Sequence, residues 1–356
     1  MEHRRYEIVN QNSEYLFLRD ISNNTYCKVD YTYSDEHWQA WSIHEDKPFF
    51  NYILVDDKPD TVIFGVPFKN GSRASTSTAD KFPTILRQAS YKLLHPNQYP
   101  DSIPLNLFHL DTSKLIECGK IMDVGNVTMN GNLSERESIS QVTSYCVKNS
   151  LPFICVGGDH SYTFDVVASL ELLNKPIVLW VLDAHNDLYG NESHLDHGNV
   201  FSHIANLPFI KAIVQVGSRG YRTVGQIVEH PKVIQIPKAQ FSSELMKHWL
   251  QEFSDYANYI SIDLDCLDPQ LFPYVDFGVP GGFSRAELLS IVDMIFNENG
   301  QVVGVDIVEG TEGGSVMKGD YDIPLEILLS ILNQFFIHPK KEGLYKSDYS
   351  RKGIEF

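Results

Sequence analysis

The chain has 356 residues, of which 43% are hydrophobic and 21% charged, a composition typical of a globular protein with a large core. Its formal net charge of -17 argues against a nucleic-acid partner, because few cations are available to neutralise phosphates. No apolar run resembles a secretory signal or approaches the roughly 18 residues of a membrane span. We therefore expect a cytoplasmic protein that binds neither nucleic acid nor membrane, and whose acidity suits a cationic ligand.

The two ends of the chain differ in composition from the middle. Residues 1–55 are rich in aromatic and turn-forming residues, which predicts short strands packed onto the rest as an appendage. Residues 338–356 are polar, and we expect this C-terminal tail to be loosely held. Residues 56–337 are expected to form one domain.

Eight apolar runs of strand length punctuate that domain. They are rich in Val and Ile and mostly continuous rather than alternating, as strands buried on both faces should be. In chain order they are TVIFGVPF, KIMDVGNV, PFICVGGD, PIVLWVLDAH, FIKAIVQVGSR, VIQIP, YISIDLDCLD and VVGVDIVE. Helical patterns lie between most of them, two opened by capping boxes at Ser134/Glu137 and Ser284/Glu287. The alternation predicts an α/β fold: a doubly wound, mostly parallel eight-stranded sheet with helices on both faces.

Charged and imidazole side chains follow four of these strands. The third ends in GGDHS (157–161), the fourth in DAHND (183–187), the seventh in DLD (263–265) and the eighth in DIVE (306–309). The carboxyl ends of parallel strands share one edge of a sheet, where open α/β sheets bind their ligands. Because each unpaired buried carboxylate costs roughly several kcal/mol, we expect a cationic group to lie among them.

Two divalent ions would meet that requirement. Within the pairs Asp183/His185 and Asp263/Asp265, the strand period of two places both side chains on one face. An oxygen-rich ligand set, with no CxxC pair among the five cysteines, favours Mn(II) and leaves nickel and iron open. Each motif taken alone also has a structural interpretation, such as a turn histidine or a capping aspartate. Their coincidence at one sheet edge favours metal binding.

GGDHS, DAHND and SIDLDCLDP, in this order, resemble the three metal motifs of the ureohydrolases: arginase, agmatinase, guanidinobutyrase and formiminoglutamase. GVPF with Gly71 and Pro83, and DVGN around Asp123, resemble the family's first two strands, so the resemblance covers the whole domain. It implies the doubly wound sheet and a homo-oligomer, either a trimer or a hexamer. It also implies two metal ions, one bound by His160, Asp183, Asp187 and Asp263 and the other by Asp183, His185, Asp263 and Asp265, with Asp183 and Asp263 bridging.

The same resemblance implies the chemistry, which is hydrolysis of a guanidinium group to urea and an amine by metal-generated hydroxide. Asp187 would also orient that hydroxide, and Glu309 would bind the substrate guanidinium. His197 would deliver a proton to the departing amine, with His194 as the competing candidate. The structural alternative for Glu309 is an ordinary salt bridge.

Departures from the family pattern bear on the substrate. The stretch after DAHND is shorter than an arginase loop, and Tyr189 stands where arginases have an asparagine that reads free arginine. The run Val275–Pro280 replaces the usual Thr-Gly-Thr-Pro, and Glu309 is followed by Gly-Thr rather than Asn-Pro. Tyr189, Asn191 and Phe277 are predicted to lie at the substrate rim.

Four functions follow as alternatives. The first is hydrolysis of agmatine or a similar guanidino-alkyl amine or acid, with free L-arginine expected to be a poor substrate. The second is a peptide arginase that converts arginine side chains to ornithine, and the third is a formiminoglutamase-like C–N hydrolase. The fourth is a metal-binding regulatory module without turnover, which the complete ligand set disfavours.

Overall fold

A computed structural model describes residues 6–338, apart from 12–14, 21–24, 31–40, 44–48, 50–58, 91–105, 112, 128–133, 190–193, 224–228 and 300. No helix in the described part of the chain is long and apolar enough to cross a membrane. Cys155 and Cys266 are fully buried.

Eight parallel strands form the central sheet, as the apolar runs predict. They are β5 (Thr61–Val66), β8 (Ile121–Asn126), β9 (Phe153–Gly157), β10 (Ile177–Leu182), β11 (Ile210–Val216), β12 (Val233–Ile236), β13 (Ala257–Asp263) and β14 (Val302–Val308). All residues of β9, β10, β13 and β14 are buried, which explains why their sequences are continuously apolar rather than alternating.

The strand order explains how the polar motifs meet. Across the sheet the order is β12-β11-β10-β13-β14-β9-β5-β8, and every neighbouring pair is parallel. The four strands that end in charged residues, β10, β13, β14 and β9, are therefore consecutive at its centre. Their carboxyl ends open on one side, where a doubly wound sheet forms its binding crevice.

Seven α-helices connect or flank the strands. They are α1 (Phe82–Ser90), α2 (Glu135–Lys148), α3 (Thr163–Ser169), α4 (Val200–Ala205), α5 (Ser243–Glu252), α6 (Arg285–Asn299) and α7 (Asp322–Ile337) within the described ranges. Both predicted capping boxes form: the Glu137 carboxylate accepts from the Ser134 N–H at 2.8 Å, and Glu287 accepts from Ser284 at 2.8 Å. These bonds satisfy amide groups that the first turn of a helix leaves open, which fixes where α2 and α6 begin.

In the described part of the chain, two smaller sheets accompany the central one. Strands β1 (Tyr6–Gln11), β2 (Tyr15–Asp20), β3 (Thr25–Asp30) and β4 (Trp41–Ile43) pair antiparallel in chain order. Strands β6 (Asn106–His109) and β7 (Lys114–Glu117) form an antiparallel hairpin. The predicted domain limits at residues 55 and 337 stay a prediction, and the tail beyond His338 lies outside the described residues.

Candidate metal centre and substrate pocket

The first group of predicted ligands surrounds His160, which follows β9. Its Nδ1 lies 3.2 Å from Asp263 Oδ2 and 3.4 Å from Asp187 Oδ2. Asp183 Oδ2, at the end of β10, is 3.5 Å from the same nitrogen. These four ligand atoms all lie within 4.8 Å of one another, close enough to share one metal ion.

The second group contains Asp183, His185 and Asp265, again within 4.8 Å of one another. His185 Nδ1 is 2.7 Å from Asp265 Oδ2 and 3.8 Å from Asp183 Oδ1. Asp183 therefore turns one oxygen to each group, the arrangement expected of a bridging carboxylate. Asp263 belongs to the first group alone, so its predicted bridging role stays a prediction.

Burial makes this cluster of carboxylates costly without a cation. Burial and the neighbouring Asp187 and Asp263 raise the pKa of Asp183 well above its usual value. Burial and the neighbouring Asp265 do the same to the pKa of Asp263. In addition, Asp183 Oδ2 and His160 Nδ1 are buried atoms with no hydrogen-bond partner among the residues that the structure describes. Divalent ions fit these donors, because they would keep the carboxylates ionised and supply the missing contacts.

A buried hydrogen-bond chain orients His160. Its Nε2 lies 2.9 Å from Ser261 Oγ, and the Ser261 hydroxyl donates to Asp306 Oδ1 at 2.6 Å. Asp306 also accepts from Thr163 Oγ1 and Tyr259 OH, so the Ser261 proton points to it and Ser261 Oγ accepts from His160. The tautomer with its proton on Nε2 leaves the Nδ1 lone pair available to a metal ion.

We expect Ser261→Ala to weaken metal binding by about 10- to 100-fold, the usual cost of losing a group that orients a ligand. Metal titration of the apoprotein, followed by calorimetry, measures this effect. Thr163→Val is the matched control, because it removes one hydrogen bond to Asp306 without touching His160. Equal losses in the two variants would mean that Ser261 acts only through the packing around Asp306.

Glu309 stands directly after β14 and contacts both sides of the centre. Its Oε1 accepts from the His160 backbone N–H at 2.7 Å and lies 3.1 Å from His197 Nδ1. Its backbone has a φ of 63°, and that of Asp187 is 43°, both in the left-handed region that favours glycine. Backbone strain at two charged residues of the same site indicates that these residues are retained for what their side chains do and not for the shape of the turn.

Of the two histidines considered as proton donors, His197 and His194, it is His197 that reaches this centre. Burial opposes its protonation, but the hydrogen bond and charge of Glu309 outweigh burial and raise the pKa of His197 to about 8. Its Nε2 accepts from the Arg73 backbone N–H at 3.1 Å, which selects the neutral tautomer with the proton on Nδ1. His194 is exposed and its carbonyl accepts from Asn199, so among the described residues the structure brings His197 rather than His194 to the site.

The loop that carries His197 is fixed to a second loop after β5. The His197 N–H donates to Gly71 O at 3.0 Å, and the Gly71 N–H donates to the buried Asp159 at 2.8 Å. A Cβ at position 71 would lie 2.0 Å from Ser161 Oγ, so this close approach requires glycine. Asp159, part of the GGDHS motif, therefore supports His197 through Gly71 instead of binding metal.

A cavity of about 390 Å³ opens above the metal ligands. Its lining includes five residues that were predicted for substrate or chemistry, namely Asp187, Tyr189, His197, Phe277 and Glu309. Asn191, the remaining rim prediction, lies outside the described residues. The cavity is also lined by Arg73, Arg222 and Asp276, which the sequence analysis did not identify. Each of these three lies on a loop, where no periodic pattern indicates the direction of a side chain.

The model of the arginase family matches residues 59–311. The chain belongs to the arginase family. Over 269 residues it is 28% identical to an agmatinase of Serratia proteamaculans (strain 568), a match that covers 73% of this chain and 82% of that protein. The resemblance seen in the three motifs is thereby confirmed, and with it a family that depends on a binuclear metal centre.

Solved structures share the fold of this arginase-family chain. A hypothetical agmatinase from Burkholderia thailandensis superposes with a TM-score of 0.62 at 24% identity, covering 81% of this chain and 90% of its own. The formimidoylglutamase of Bacillus subtilis subsp. subtilis str. 168 gives a TM-score of 0.65 at 19% identity, covering 87% and 98%. Both confirm the doubly wound parallel sheet that the sequence predicts.

The altered run Val275–Pro280 of this family member is held against the metal ligands by Arg219. The guanidinium of Arg219 donates to Val279 O at 2.7 Å and to Asp265 O at 2.7 Å. A third bond, to Leu267 O, is 3.1 Å long. Because one rigid planar group joins the run to the end of β13, Phe277 and Asp276 keep a fixed position above the centre.

Proposed function

We propose that this protein hydrolyses the guanidinium group of a small guanidino compound other than free arginine, releasing urea and an amine. The observation that carries the proposal is the meeting of both ligand groups, Glu309 and His197 around one cavity. Two Mn(II) ions, with nickel and iron left open, would supply hydroxide at neutral pH when bound there. From the family resemblance we also propose a cytoplasmic homo-oligomer, either a trimer or a hexamer.

The protein side chains would divide the remaining work. Glu309 offers a buried carboxylate at the floor of the cavity, suited to orient a guanidinium by charge-assisted hydrogen bonds. Asp187 lines the same floor and can accept a hydrogen bond from the attacking hydroxide. His197, neutral while its Nε2 accepts from Arg73, can take up a second proton near its pKa of about 8 and give it to the nitrogen that leaves.

Free L-arginine is expected to be a poor substrate. Tyr189 replaces the polar group that arginases use to read the α-substituents, and each substituent left unpaired costs roughly 1–3 kcal/mol. An agmatine-like compound carries fewer such groups. An arginine side chain within a peptide also lacks the free carboxylate, and the 44% exposure of Phe277 at the rim is compatible with a larger partner.

The decisive experiment is a urea assay with Mn(II)-loaded protein. The substrates compared are agmatine, 4-guanidinobutyrate, free L-arginine and an unstructured peptide with an internal arginine. Urea from a small guanidino compound at a rate well above that from arginine supports the proposal. Absence of urea from every compound, with both metal ions bound, would contradict it, and preference for the peptide would favour a peptide arginase.

We expect His197→Asn to keep both metal ions and to lower turnover by about 100-fold or more, as is typical of a lost general acid. The measurement is the urea release rate at saturating substrate, with the metal content determined in parallel. His194→Asn is the matched control, because this neighbouring imidazole is exposed and should leave the rate unchanged. A loss confined to His194→Asn would transfer the role to that residue.

A further inference from the structure

Two arginines gather around one aromatic ring at the mouth of the cavity. The guanidinium carbon of Arg222 lies 5.0 Å from the centre of the Tyr189 ring, and that of Arg73 lies 5.5 Å from it. All three residues line the cavity above the metal ligands. Tyr189 therefore holds two cationic groups together on one side of the opening.

The charges of these two arginines are balanced differently. Arg73 forms an ion pair with Asp196 at 2.7 Å. None of the ion pairs among the described residues involves Arg222, which is exposed and contacts the Tyr189 ring and hydroxyl. Arg222 thus offers a planar fork of donors at the mouth, the group that best matches a carboxylate.

A carboxylate that is not among the predicted metal ligands lies at the floor of the same cavity. It belongs to Glu309, at the end where a guanidinium would be bound. A substrate that spans the cavity would therefore meet the Glu309 carboxylate at one end and Arg222 at the other. This polarity matches a molecule with a cationic guanidinium at its head and an anionic group at its tail.

We propose that the substrate is a short-chain guanidino carboxylic acid whose carboxylate is bound by Arg222 beside Tyr189. This rests on the proposed function, because the guanidinium end uses the same metal centre and Glu309. In the reaction a C–O bond forms from water to the guanidinium carbon, and the bond between that carbon and the nitrogen carrying the alkyl chain breaks. The departing nitrogen takes a proton, so a guanidino acid and water give urea and an amino acid.

Asp276, which also lines the cavity, carries a carboxylate that would favour a cationic tail over an anionic one. Within the described part of the chain its buried Oδ2 has no hydrogen-bond partner, so it can accept from an N–H of the substrate. Asp276 adjoins Phe277, whose ring lies 5.5 Å from that of His197, whereas Arg222 belongs to the Tyr189 side. The tail of a substrate on the Tyr189 side would lie nearest to the guanidinium groups of Arg222 and Arg73. These cations would repel an ammonium group at that end of the substrate.

The test compares three four-carbon guanidines that differ in the charge of the tail: 4-guanidinobutyrate, 1-butylguanidine and agmatine. We expect kcat/KM to be about tenfold or more higher for 4-guanidinobutyrate than for agmatine, mainly through KM, with butylguanidine between them. Arg222→Glu should reverse that order, and Arg222→Lys should retain part of it. Lys247→Glu, at an exposed cation on α5, is the matched control and should leave the order unchanged.

Calorimetric binding of 4-guanidinobutyrate and agmatine gives a readout that does not depend on turnover. We expect Arg222→Glu to weaken 4-guanidinobutyrate binding by about tenfold or more. Preference of the wild-type protein for agmatine, together with a loss of agmatine turnover in Asp276→Asn, would overturn the inference and leave the proposed function standing. Absence of urea from all three guanidines would instead overturn the proposed function.

Discussion

Asp263→Ala should reduce urea release to the background level while the protein stays folded. Asp263 Oδ2 lies 3.2 Å from His160 Nδ1, and its other oxygen accepts from the Asp265 N–H at 2.8 Å. Its loss would therefore remove one metal ligand and loosen the backbone that presents a second. The expected metal content, measured by mass spectrometry, falls from two ions per chain to one or fewer.

The same substitution should weaken metal binding without lowering the stability of the metal-free protein. Without metal, Asp263 is a buried carboxylate among other carboxylates, so its removal should leave the melting temperature in EDTA unchanged or raise it. Adding Mn(II) should stabilise the wild-type protein, by about 2.7 kcal/mol for each site at a hundredfold excess over Kd. The free energy of unfolding of Asp263→Ala should rise much less on addition of Mn(II).

Asp255→Ala is the matched control for Asp263→Ala. Asp255 is an exposed acid two residues before β13, so its removal changes the net charge equally without touching the centre. It should keep both activity and the metal-dependent rise in melting temperature. Retention of two ions and full turnover by Asp263→Ala would be incompatible with a binuclear site built on this residue.

The clustering of the candidate metal ligands could be predicted from the sequence because a local pattern determines it. His160, Asp183 and Asp263 each stand at the end of a buried apolar strand, and the carboxyl ends of parallel strands share one edge. The sequence did not show that β10, β13, β14 and β9 would be consecutive. That order depends on the chain leaving the centre after β10 and returning with β13, which only packing determines.

The residues that the sequence did not predict make contacts between neighbouring strands or between loops that are distant in the chain. Ser261 lies beside Asp306 because β13 and β14 pair in that register, and no spacing along the chain reveals it. Arg73 and Arg222 lie far apart in the sequence, and the Tyr189 ring is where both of their guanidinium groups make contact. The proposed carboxylate site at Arg222 depends on such contacts, so the reaction class is easier to predict from the sequence than the substrate.

The other large effect is expected at Glu309, where function and backbone strain coincide. Glu309→Gln keeps an acceptor for the His160 N–H but removes the charge that a guanidinium needs. Truncating one partner of a buried charge pair costs about 2–5 kcal/mol, which corresponds to roughly a 30- to 5,000-fold loss of kcat/KM. Steady-state kinetics on the best guanidino substrate measures this loss.

Losing the Glu309 charge should also lower the pKa of His197 from about 8, because that carboxylate raises it. Titration of the His197 ring by NMR, in wild type and Glu309→Gln, tests the link between the two residues. Asp276→Asn is a suitable control, because it removes another carboxylate from the cavity lining. An unchanged His197 pKa in Glu309→Gln would mean that their 3.1 Å contact is not maintained in solution.

A comparison of Glu309→Ala with Glu309→Gly should expose the strain itself. At a φ of 63° an L-residue pays roughly 1–2 kcal/mol that glycine does not, so the glycine variant should be the more stable of the two. At an ordinary helix or strand position the alanine variant is the more stable one, so a more stable glycine variant here would indicate backbone strain at position 309. Both variants lack the carboxylate and should be equally inactive. Equal stabilities by chemical denaturation, or an alanine variant more stable than glycine, would show that the turn after β14 stores no strain.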